Sequence, residues 1–101
     1  MSNGVIIHET MLAAKGEAGS SNWFAVSEVE SMTIQITGIN GDTVQVHGSN
    51  AHTLPAAATD GIVLDSVTVD DIRYILGPIN FVKVKISTYS AGSITAILQG
   101  L

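Results

Sequence analysis

Between Ser31 and Ser49 the chain alternates with a period of two. Met32, Ile34 and Ile36, and then Val44 and Val46, are apolar, and Thr33, Gln35, Thr37, Thr43, Gln45 and His47 stand between them. Successive side chains of a strand point to opposite faces, so this pattern describes strands with one face buried and one wet. It returns at Phe81–Ser87, with Val82, Val84 and Ile86 inward and Lys83 and Lys85 outward, and again at Ser93–Leu98. Only residues 68–76 offer a helical reading, because Thr68 and Asp71 resemble a capping box and Ile72, Ile75 and Leu76 fit helical spacing. The alternation of Ile72, Tyr74 and Leu76, with Gly77-Pro78 directly after, favours a strand there too.

Parity then suggests pairings, since residues opposite one another in an antiparallel pair share a face. A three-residue loop, Ile39-Asn40-Gly41, would set Ile36 against Val44 and Ile34 against Val46, closed by a positive φ at Gly41. The last two strands would pair Ile86 with Ile94, Val84 with Ala96 and Val82 with Leu98. Trp23-Phe24-Ala25-Val26 reads as a short strand anchored by the single tryptophan, and Asn50–Gly61 as a surface loop. Seven or eight short antiparallel strands, with turns about every ten residues, predict an all-β, single-domain β-sandwich or jelly-roll-like fold. Residues 1–22 read as an extended N-terminal arm, with strand-like character near 4–13, and residues 23–101 as the sandwich domain.

Charge and composition narrow the function. Nine carboxylates against four basic residues give a formal charge of -5, and the basic residues do not cluster with aromatics, which argues against direct nucleic-acid binding. Only 13% of residues are charged and mean hydropathy is +0.37, so part of the apolar excess is expected to meet another subunit. No run approaches the roughly 20 apolar residues of a membrane span, and Val5–Ile7 is too short for the apolar core of a signal peptide. There is no cysteine, hence no disulfide, thiolate metal site or thiol nucleophile.

His47 and His52, with Asp60 or Asp65, match no metal-ligand spacing, and Asp65, Asp70 and Asp71 lack the dense acidic loop of a calcium site. Ser49 near His47 has no glycine-framed elbow of the kind that presents a nucleophile to its base, and Gly38, Gly41 and Gly48 do not form a phosphate loop. The expectation is no enzyme, no cofactor and no metal.

Thr37–Asn50 (TGINGDTVQVHGSN) and Phe81–Gly100 (FVKVKISTYSAGSITAILQG) together resemble small β-sandwich accessory proteins of tailed-phage virions, including capsid cement or decoration proteins. The likeness lies in strand and turn pattern and covers roughly residues 23–100. Members often continue the Gly-Ser with Asp-Gly and a tryptophan, where this chain has Asn50-Ala51-His52-Thr53-Leu54. The resemblance implies a virion protein on the capsid surface, assembled in the host cytoplasm, with the major capsid protein and its own copies as partners, commonly as a homotrimer. The alternative is a carbohydrate-binding or adhesin-like module of a phage tail or fibre. The residues expected to contact the capsid are Val5, Ile6, Ile7, Met11 and Leu12 of the arm. On that reading a chain starting at Ser20 would fold but bind shells poorly.

Overall fold

The computed structural model describes residues 7–101. It contains nine strands and, among the described residues, no helix. They are β1 (Ile7–Lys15), β2 (Gly19–Ser20), β3 (Phe24–Ala25), β4 (Ser31–Thr37), β5 (Thr43–Ser49), β6 (Ile62–Val67), β7 (Asp71–Leu76), β8 (Phe81–Thr88) and β9 (Ile94–Gly100). Four form one antiparallel sheet in the order β1-β9-β4-β7; the second runs β2-β8-β5-β6, with β3 also on β8. The inner faces of the two sheets meet in one core that includes Ile34, Ile36, Val44, Val46, Val84, Ile86, Ala96 and Leu98. This is a β-sandwich, and the alternation that predicted it also names its core, because each inward residue of the four long periodic strands is buried.

The predicted pairings need correction. β4 pairs with β7 and β9, while β5 pairs with β6 and β8 in the other sheet. Residues 31–49 are therefore not a hairpin but two strands facing each other across the core. The same holds for β8 and β9. The physical reason is that alternation reports which side of a strand is buried and not which strand lies beside it; a hairpin and a crossover between sheets demand the same inward set.

The two crossovers, 38–42 and 89–93, are tied together. The Ser93 N–H donates to the Gly38 carbonyl at 3.0 Å, and the Asp42 carboxylate accepts from the N–H groups of Asn40, at 2.9 Å, and Ser90. Burial works to raise the Asp42 pKa, but the N–H groups of Asn40, Ser90 and Gly92 outweigh it and hold it below the usual carboxylate value. Gly38 has φ +84°, and a Cβ there would lie 1.8 Å from the Ser93 carbonyl oxygen, so only glycine fits.

The arm is also corrected for residues 7–22. β1 runs against β9 from Ile7 opposite Gly100 to Lys15 opposite Ile94, and Met11 and Leu12 are only 6% exposed. The Ser21 N–H and hydroxyl both bond the backbone of Val84 in β8. Chain on both sides of residue 22 thus belongs to the sandwich.

Candidate docking surface

The outer face of the first sheet is defined by the register. On β7 it carries Ile72, Tyr74 and Leu76; on β4, Ser31, Thr33, Gln35 and Thr37; on β9, Thr95, Ile97 and Gln99; on β1, His8 and Thr10. The strands of this sheet contain four formally charged residues, and all four have the opposite parity. Glu9 pairs with Leu98, Lys15 with Ile94, Asp71 with Ile36 and Arg73 with Ile34, each partner being a core residue. In a chain with nine carboxylates, the result is a four-stranded outer face without a formal charge.

Apolar side chains concentrate at one side of this face. Ile72, Tyr74 and Leu76 are 59–67% exposed; beyond this face, Ile62, Val63 and Leu64 on β6, the edge strand of the second sheet, and Val69 between β6 and β7 are exposed too. Tyr74, Thr33 and Gln99 lie in one cross-strand row and, with Ser31 and Leu101, line a shallow groove of about 340 Å³. Beneath β7, the inward Arg73 closes the sandwich. Its guanidinium lies 3.5 Å from Asp65 Oδ2 and 3.1 Å from Asp71 Oδ2, with Nε off the line of a hydrogen bond. Two of the three acids considered for calcium are thus engaged by an arginine, and the third, Asp70, accepts the Ile39 N–H at 2.9 Å.

The outer face of the second sheet is different. Lys83 and Lys85 point outward from β8, as their parity predicts, but Lys83 is completely buried because the 50–61 loop folds over it. Its Nζ donates to the carbonyls of Ala57 at 3.0 Å and Thr59 at 2.6 Å, lies 3.5 Å from Asp60 Oδ1, and sits 5.2 Å from the Trp23 ring centroid. The Trp23 Nε1–H donates to the same Thr59 carbonyl. Lys85 pairs with Asp60 Oδ2 at 2.9 Å, the leading reason, with the added charges of Lys83 and His47, that the Asp60 pKa is lowered. Alternation cannot reveal a lysine covered from outside by a loop remote in sequence; the 50–61 segment reads from its sequence only as a surface loop.

His47 completes this cluster. The Gly61 N–H donates to Nδ1 at 3.2 Å, which leaves Nε2 to carry the proton toward Gln45 Oε1 at 3.0 Å. Both ring nitrogens are used, Asp60 Oδ1 is 4.0 Å away, and His52 is exposed on the loop. Among the described residues no three His, Asp or Glu side chains gather as a metal site. The cluster's chemistry is that of a latch holding the loop to β5 and β8.

A pH response follows. Burial lowers the His47 pKa below its ordinary 6.5, and Lys83 and Lys85 add to this against the opposing pull of Asp60. The unfolded chain then binds this proton more readily than the native one. The stability His47 contributes is present above about pH 6.5 and is lost as pH falls through the lower native value. Asp42 and Asp60 respond only below their ordinary 3.8. The urea midpoint is expected to drop between pH 7 and pH 5, and the drop to shrink in His47→Gln; an unchanged slope in that variant would remove His47 as the cause.

Of the five residues expected to contact a capsid, Met11 and Leu12 are spent on the chain's own core and Ile7 is half-buried against it. Val5 and Ile6 lie outside the described residues. The exposed apolar residues stand instead on β6 and β7, where the alternation of Ile72, Tyr74 and Leu76 marks a strand but not which of its faces stays open.

The chain is similar in fold to the SPBc2 prophage-derived protein YomS, whose crystal structure matches it with a TM-score of 0.75 over 100% of this chain and 97% of that one, at 11% identity. A weaker likeness, TM-score 0.41 at 17% identity over 96% of this chain and 84% of the other, is to a protein of the disulfide-linked pili of Bacillus endospore appendages. No protein-family model and no curated protein matches the chain.

Proposed function

We propose that this chain is a non-enzymatic structural protein of a phage particle, a cement or decoration protein that docks on the assembled capsid through the outer face of its first sheet. The observation that carries the reading is the segregation of charge. Glu9, Lys15, Asp71 and Arg73 all share the inward parity, which leaves a broad face of Thr, Gln, Ile and Tyr. Such a face loses little hydration free energy on contact, because burying an unpaired charge is the step that penalises association most. The sandwich shared with a prophage-derived protein supports the phage setting. The carbohydrate-binding alternative draws on exposed aromatics, and this face presents one, Tyr74.

Co-sedimentation with capsids of the phage that encodes the chain tests this. A Gln35→Glu/Gln99→Glu variant places two carboxylates in the centre of the face at exposed positions, so the fold should persist by circular dichroism. Its affinity is expected to fall at least tenfold, about 1.4 kcal/mol. Thr53→Glu, on the 50–61 loop, should bind like the parent chain. The reverse pattern would assign docking to the loop, and parental binding by both variants would overturn the reading.

A further inference from the structure

Four kinds of edge border the two sheets, and three are unsuited to pairing. β1 has two register shifts and a left-handed Ala14 at φ 49°; β6 faces a register shift at Val46/His47; β2 and β3 are two residues each. Bulges, short strands and twists of this kind are how proteins keep edges from pairing. β7 alone is regular, with six consecutive pairs to β4 and no shift. Its outward residues Ile72, Tyr74 and Leu76 are exposed and apolar.

The backbone of β7 shows which groups are free. The Gly77 N–H donates to the Glu30 carbonyl, on the β4 side, whereas the Ile72 N–H donates to its neighbour Asp71 Oδ1 at 2.8 Å and so points away from β4. By alternation the N–H and C=O groups of Ile72, Tyr74 and Leu76 all face the open edge.

We propose that two copies of the chain pair antiparallel through β7, about a two-fold axis at Tyr74. This stands independently of the capsid reading. Register selects the partner, because the strand is complementary to itself in one alignment only. Centring on Arg73 would set Arg73 against its own copy. Centring on Ile72 would bring Asp70 against Tyr74 on the outer face, setting a carboxylate against an apolar ring. Centring on Ile75 or Leu76 would set Ile72 or Tyr74 against Pro78, which has no N–H. Centring on Tyr74 pairs Tyr74 with Tyr74 and Ile72 with Leu76 on the outer face, Arg73 with Ile75 on the inner, and Asp71 with Gly77. No like charges meet, and every outward residue faces an apolar one. The two four-stranded sheets become one of eight. A two-fold contact of this kind closes as a dimer, in place of the trimer expected from the resemblance.

The chain has no cysteine, so single cysteine variants report the register. Light scattering after size exclusion of the parent chain at about 100 μM should give twice the 10.5 kDa chain mass. Tyr74→Cys should cross-link to its own copy on mild oxidation, opposed Cα atoms lying about 5.5 Å apart. Ile72→Cys and Leu76→Cys should stay largely uncross-linked alone, their copies being about 13 Å apart, but should cross-link to each other when mixed. Tyr74→Pro should keep the native circular dichroism and run as a monomer, since the N–H it removes faces the edge. A monomeric parent chain would overturn the proposal and leave the edge to another protein's strand. A dimer that cross-links through Ile72→Cys alone, or that survives Tyr74→Pro, would overturn it as well.

Discussion

A chain that begins at Ser20 is expected to lose its cooperative fold. The cut removes β1, whose pairing with β9 runs from Ile7 to Lys15, and with it Met11 and Leu12, both 6% exposed in the core. Each large apolar side chain contributes about 1.5–3 kcal/mol through burial, so these two alone account for roughly 3–6 kcal/mol. The whole stability of a domain this size is of the order of 5–15 kcal/mol. The deletion also uncovers one edge of β9 and the inner-face residues Ala96 and Leu98, which are completely buried in the intact chain. Urea unfolding followed by circular dichroism should show no sigmoidal transition for the shortened chain. Met11→Ala/Leu12→Ala, which keeps the strand backbone, should still unfold cooperatively but at a markedly lower midpoint. A shortened chain with the parental midpoint would show that β1 is dispensable, and would restore the view of the N-terminal segment as a free arm.

The N-terminal segment illustrates what the sequence shows and what it hides. Met11-Leu12 is apolar without alternation, because register shifts after Thr10 and Leu12 break the period of two and let consecutive residues 11 and 12 both turn inward. Without that period, a strand and an adhesive arm look alike. Where the period is intact the face assignment holds: Met32, Ile34, Ile36, Val44, Val46, Val82, Val84, Ile86, Ile94, Ala96 and Leu98 are all buried. Strand neighbours were hidden for a different reason, since face parity is the same whether the chain turns back within a sheet or crosses to the other. Gly41 shows the same ambiguity, having the positive φ expected of it, +79°, in a crossover rather than a hairpin turn. The uncharged outer face was legible only once the fold was known. Its mark is that all charged residues in four strands share one parity, and seeing this requires knowing that β1, β4, β7 and β9 lie side by side.

Ile34→Ala is expected to destabilise the protein by about 2–5 kcal/mol. Ile34 is completely buried on β4, the second-from-edge strand of the first sheet, with Arg73 beside it on β7 and Leu98 beside it on β9. Strands on both sides hold the backbone in place, and the facing sheet supplies Val44, Val46 and Val84 to the same core, so the cavity left by three carbons has little freedom to collapse. The upper half of the range is therefore the better estimate. In a domain of this length each kcal/mol lowers Tm by about 4–8 °C, so the shift should be plain in a thermal melt. Gln35→Ala, one residue along on the exposed face, is the matched control and should stay within about 0.5 kcal/mol. Both variants change the same strand by one truncation, so their difference isolates parity from strand propensity. Equal effects from the two would mean that β4 does not present one face to the core, and the charge segregation inferred for the opposite face would fall with it.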